Sequence, residues 1–118
     1  MNLLNLEDEK FKNVKVQGYH FKIRYISPLD RIKISQRRTD LQGRRNVEEF
    51  TDSEFMFFEN IGMVDICVED LPKDFDQNES CANWPSSSII NEIAGEIRKF
   101  TDDFESKLKK NRPVDGGK

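Results

Sequence analysis

The stretch Ser86–Asn111, SSSIINEIAGEIRKFTDDFESKLKKN, constrains the fold more than any other part of the chain. Ile90, Ile93, Ala94, Ile97, Phe100, Phe104 and Leu108 recur at three- and four-residue steps. At 3.6 residues per turn they form a stripe about 120° wide, the width of a core-facing amphipathic helix. A serine among Ser86–Ser88 can cap the first orphan N–H groups, and Asn111 ahead of Arg112-Pro113 ends the helix. Glu92 and Glu96 near its start, and Lys107, Lys109 and Lys110 near its end, suit the helix dipole. Such a helix needs a partner surface, which the rest of the chain has to supply.

The N-terminal third offers a β-hairpin. Val14 and Val16 alternate with Lys15, Gln17-Gly18 makes a tight turn, and a second strand runs from Tyr19 to Ile26. Tyr19, Phe21, Ile23 and Tyr25 share one face, while His20, Lys22 and Arg24 share the other, the pattern of a sheet covered on one side. Ser27-Pro28-Leu29-Asp30 then opens a helix to Gln42, with Gly43 as its C-terminal cap. Thr51-Asp52-Ser53-Glu54 is a capping box for a second helix, expected over Asp52–Glu69. The fold class is therefore α+β: an N-terminal hairpin followed by three helices, the last long, with no strand beyond residue 45. Residues 1–10 are expected as a mobile leader, 11–111 as one domain and 112–118 as a disordered tail. The expected core comprises Phe21, Ile23, Ile32, Phe58, Ile61, Ile93, Ile97, Phe100 and Phe104. The long connection 71–85 is polar, with Leu71, Phe75 and Trp84 as anchors, and Trp84 is expected to staple the chain to the core.

The second helix is apolar nearly all round, and a small domain covers such a helix with difficulty. The helix is thus expected as the central element, as part of a subunit interface, or as both together, with the row Phe57, Ile61, Val64 and Val68, and Met56 and Met63 beside it, meeting a neighbouring subunit or a client helix. A homo-oligomer follows from that reading.

Charge is segregated. Between Lys10 and Arg45 there are eleven Lys/Arg and only Asp30 and Asp40, whereas Asn46–Ser106 holds sixteen Asp/Glu against Lys73, Arg98 and Lys99. The two signs can neutralise each other within one fold or between subunits. Alternatively Arg31, Lys33, Arg37 and Arg38 present a basic surface to an acidic partner or to nucleic acid. A net charge of −3 argues against nucleic acid as the partner.

Catalytic constellations are missing from the sequence. The single histidine, His20, sits among lysine and arginine on a polar strand face, without the partners a triad or zinc site needs. No Walker A loop, GxGxxG or EF-hand loop occurs. The expectation is a non-enzyme with no cofactor and no metal. No apolar run approaches a membrane span, and the first ten residues do not make a signal peptide, so a cytoplasmic setting is expected. Cys67, in an apolar run, and Cys81, in a polar loop, are expected as reduced thiols.

Three stretches together resemble the tail assembly chaperones of tailed phages: YISPLDRIKISQRR (Tyr25–Arg38), FMFFENIGMVDICVEDLPKDF (Phe55–Phe75) and EIRKFTDDFESKLKKN (Glu96–Asn111). The order is also similar, with a strand region, a helix opened by Pro-Leu-Asp, a hydrophobic helix, Trp-Pro and a charged helix. The resemblance implies a small protein of the host cytoplasm that keeps the tape measure protein soluble while tail tube protein polymerises round it. A structural tail or baseplate-associated subunit, and a small nucleic-acid-binding regulator, are the alternatives.

Overall fold

The computed structural model describes residues 10–110 of the chain, so the expected leader, apart from Lys10, and the expected tail lie outside the described residues. Two strands, β1 (Phe11–Val16) and β2 (Tyr19–Arg24), come first, followed by helices α1 (Pro28–Gln42) and α2 (Asp52–Cys67). A third strand, β3 (Val68–Asp70), leaves α2 without a loop, and α3 (Ser87–Lys110) closes the chain. Short 3-10 turns at Val47–Glu49 and Cys81–Asn83 punctuate the two connections.

The hairpin forms for the reasons its sequence offers. Gln17 (φ 50°) and Gly18 (φ 87°) both take positive φ, the type I′ geometry whose twist matches the flanking strands. Val14 pairs with Phe21 and Lys15 with His20, so Val14, Val16, Phe21 and Ile23 all face inward and are buried. The expectation that no strand follows residue 45 is corrected by β3. Antiparallel to β2, it pairs Ile23 with Val68 and Lys22 with Asp70, across a register shift. The helix expected to reach Glu69 instead stops at Cys67, and β2 becomes the central strand of an order β1-β2-β3.

Both capping signals operate. Ser27 Oγ accepts from Asp30 N–H, and the Asp30 carboxylate accepts in return from Ser27 N–H at 2.9 Å; Thr51 and Glu54 repeat the exchange. α3 lays Ile90, Ile93, Ala94 and Ile97 into one core with the inner sheet face and α2, while Phe104 is buried against the Tyr25 ring at 4.2 Å. Thr101, also buried, donates to the Ile97 carbonyl and accepts from Ile26 N–H, which satisfies the chain where β2 ends.

Three core assignments change. Ile32 is 57% exposed, and the buried isoleucine of α1 is Ile34, two residues on and so on the opposite side of the helix. Phe58 is half-buried, edge-on to Phe50, and Phe100 is half-buried, edge-on to Tyr25 with the Lys12 ammonium over its ring. Cys81, in the polar connection, is a free thiol and fully buried, donating to the Ile61 carbonyl.

Candidate interaction surfaces

The six α2 residues expected at an interface do not form one exposed row. Ile61, Val64 and Met63 are buried inside the chain itself, Phe57 and Val68 are half-buried, and only Met56, 51% exposed, opens to solvent. The difficulty of covering α2 is met from three sides. α1 approaches so closely that a Cβ on Gly62 would lie 3.1 Å from the Ile34 carbonyl oxygen. α3 covers a second side, and the turn at Cys81 a third. The interface reading is therefore withdrawn for Ile61, Val64 and Met63.

What remains is a groove of about 370 Å3 lined by Asp52, Ser53, Met56, Phe57, Asn60 and Asn91, at the start of α2 beside the first turns of α3. Its polar base is built, not incidental. Buried Asn60 donates to Asn91 Oδ1 at 2.9 Å and accepts from Arg98 Nη2 at 2.6 Å, so its amide is satisfied without water. Arg98 also reaches Met56 Sδ at 3.5 Å and Glu59 at 3.7 Å. The thioether is thus tethered from one side and open on the other.

The four basic residues of α1 do not share one open face. Arg37 bonds Asp65 at 3.2 Å and Ser80 at 3.0 Å, in a cluster where Asp65 also accepts from Ser80 Oγ and Cys81 N–H. Arg38 lies with its guanidinium 4.5 Å above the Phe55 ring, a cation–π contact. Arg31 is exposed and pairs with Glu105 at 3.5 Å, leaving Lys33 exposed without an ion pair among the described residues. Two of the four therefore hold α1 on its neighbours, through Asp65 and Phe55.

Sequence reasoning missed Arg24, the residue that ties most elements together. Its guanidinium bonds Asp30 of the α1 cap, Glu69 of β3 at 3.0 Å and the Ile66 carbonyl near the end of α2 at 2.6 Å. Alternation had placed it on the solvent face of β2. The clue was available in Glu69, just beyond α2, and Asp30, in the first turn of α1. Burial opposes the Asp30 charge, yet the Ser27 N–H and the Arg24 guanidinium hold its carboxyl below the ordinary carboxylate range.

Trp84 acts as the expected staple. It stacks on Phe21 at 6.3 Å and meets Phe75 edge-on at 4.8 Å, and Phe75 in turn meets Tyr19 and Phe21. Among the described residues no group of three or more His, Cys, Asp or Glu is arranged to hold a metal ion, and no helix is long and apolar enough to cross a membrane. Cys67 and Cys81 are free thiols, and burial pushes Cys67 up to about 12 and raises Cys81 as well. Thiolate chemistry at neutral pH is disfavoured at both.

No family model, curated protein or solved structure matches the chain.

Proposed function

We propose that this chain is a non-enzymatic binding protein, a phage tail assembly chaperone that binds the tape measure protein in the host cytoplasm while tail tube protein assembles round it. The observation that carries the binding role is the groove beside Met56. Its lining joins a flexible, half-exposed thioether and the edge of Phe57 to a satisfied amide base. Such a groove suits an apolar side chain from a helical client, and methionine adapts to clients of differing shape. The phage assignment rests on the sequence resemblance. Of the residues first expected at the interface, Met56 and Phe57 carry this reading.

Titration of the full chain with helical tape measure fragments, with tail tube protein and with duplex DNA tests it. Fragment binding is expected, weakened about tenfold or more by Met56→Glu, a loss of about 1.4 kcal/mol, with the melting temperature unchanged. Failure of the wild type to bind any fragment would overturn the chaperone reading. Stoichiometric retention in finished tails would point to a structural subunit, and DNA binding that persists at physiological salt to a regulator.

A further inference from the structure

The ion pairs sort the charge segregation into what is spent internally and what is left over. Arg24 is matched by Asp30 and Glu69, Arg31 by Glu105, Arg37 by Asp65 and Arg98 by Glu59. The hairpin lysines are different. No acidic residue occurs between Lys10 and Leu29, and none of Lys10, Lys12, Lys15 and Lys22 ion-pairs with a carboxylate among the described residues. Strand alternation puts Lys15, His20 and Lys22 on the outer sheet face with Asn13 and Phe11, and the Lys22 ammonium sits 4.6 Å over the Phe11 ring. Asp70, opposite Lys22 in the ladder, offsets the charge only at the β3 side.

A second unmatched patch has the opposite sign. In the connection after β3, Asp74, Asp76 and Glu79 are exposed, with Lys73 as the one base, and none of the three carboxylates has an ion-pair partner among the described residues. This segment is fixed behind the sheet by Phe75, which packs on Tyr19 and Phe21 of the inner face. The two patches thus lie on opposite sides of the hairpin and cannot reach each other within one molecule.

We propose that the outer face of the β1–β2 hairpin docks the Asp74–Glu79 segment of a second copy of this chain, head to tail. The complementary surface is present on the chain itself, which singles out a second copy. A two-fold contact would have to pair both patches reciprocally across one shared surface. Because they lie on opposite sides of the hairpin, the arrangement is heterologous, which propagates into a ring or a filament. Among the described residues no strand pairs with the outer edge of β1. This inference does not depend on the tape measure reading.

Sedimentation velocity tests it across salt, since the screening length falls from ~30 Å at 0.01 M to ~3 Å at 1 M. The wild type is expected to sediment faster with rising concentration at the low salt and as a monomer at the high. Lys15→Glu/Lys22→Gln and Asp74→Lys/Glu79→Lys should each be monomeric alone at low salt, and their mixture should associate again. Should the first variant melt early, Lys15→Ser alone is expected to weaken association measurably with unchanged melting. A wild type that stays monomeric at low salt, or a mixture of folded variants that stays monomeric, would overturn the proposal. Binding of a single-stranded oligonucleotide by a chain that does not self-associate would overturn it too, and assign the face to nucleic acid.

Discussion

Asp30 shows how a single side chain links local and tertiary order. Its carboxylate completes the cap of α1 and receives Arg24 from β2, and it is almost fully buried. Because its pKa is lowered in the folded chain, the stabilisation is complete above the unfolded value of ~3.9 and is lost as pH falls through the folded value below it. Asp30→Asn keeps the shape but weakens both charge-assisted bonds. It should cost about 1–3 kcal/mol at pH 7 and flatten the fall in stability below pH ~4, as urea titrations at several pH values would reveal. An unchanged acid profile would mean that other carboxylates govern it.

At the scale of elements, the α1–α2 pair depends on the absence of a side chain. Gly62 lets the helices approach until Ile34 Cγ2 and the Ile34 carbonyl oxygen lie 3.4 and 3.1 Å from where a Cβ would sit. The near atom is helix backbone, which yields poorly. Gly62→Ala should therefore destabilise by about 1–3 kcal/mol, whereas Gly95→Ala, facing open space on α3, should stabilise by about 0.5–1 kcal/mol. Thermal melts of the two variants, made in the same background, would test the contrast, and a stabilising Gly62→Ala would remove close packing as the glycine's role. The caps, the hairpin turn and the α3 stripe were legible in the sequence because each is a local signal. The facing of α1 was not. Leu29 with Ile32, and Ile34 with Leu41, define two rival stripes, and the buried one is completed by Asp30 and the stems of Arg37 and Arg38. β3 was hidden because three residues continuing directly from a helix carry no alternation to read.

For the whole molecule, α2 is the shared wall of the structure, touched by α1, α3, β3 and the turn at Cys81. Its all-round apolarity was visible in the sequence and fits its central place in the fold, but Ile61, Val64 and Met63, expected at an interface, are covered by the chain itself. Composition says that a helix is buried on several sides, not whether the covering surface belongs to its own chain or to another. Asn60 and the groove were illegible for a related reason, since Asn60 is held by Asn91 and Arg98 from far along the chain. Val64→Lys should therefore unfold the chain rather than merely break a contact between subunits. Placing an unpaired charge at a site only 2% exposed costs about 4 kcal/mol or more, a large part of the 5–15 kcal/mol typical of a domain. Loss of the circular dichroism helix signal at 25 °C, or a steep fall in melting temperature, is the expected result, and a stable folded variant would contradict the burial of this helix face.

The central position of β2 has a consequence for synthesis on the ribosome. β2 needs β3 on one side, and the backbone after it needs Thr101, so the hairpin cannot settle when it first emerges. Between the translation of Arg24 and of Phe104 the ribosome adds about 80 residues, which takes ~4–16 s at ~5–20 residues per second. Throughout that interval Phe21 and Ile23 lack α3 and the strand edges stand open. Lysines 10, 12, 15 and 22 interrupt the apolar run over this same segment, in the position of gatekeepers against nascent chains pairing with one another.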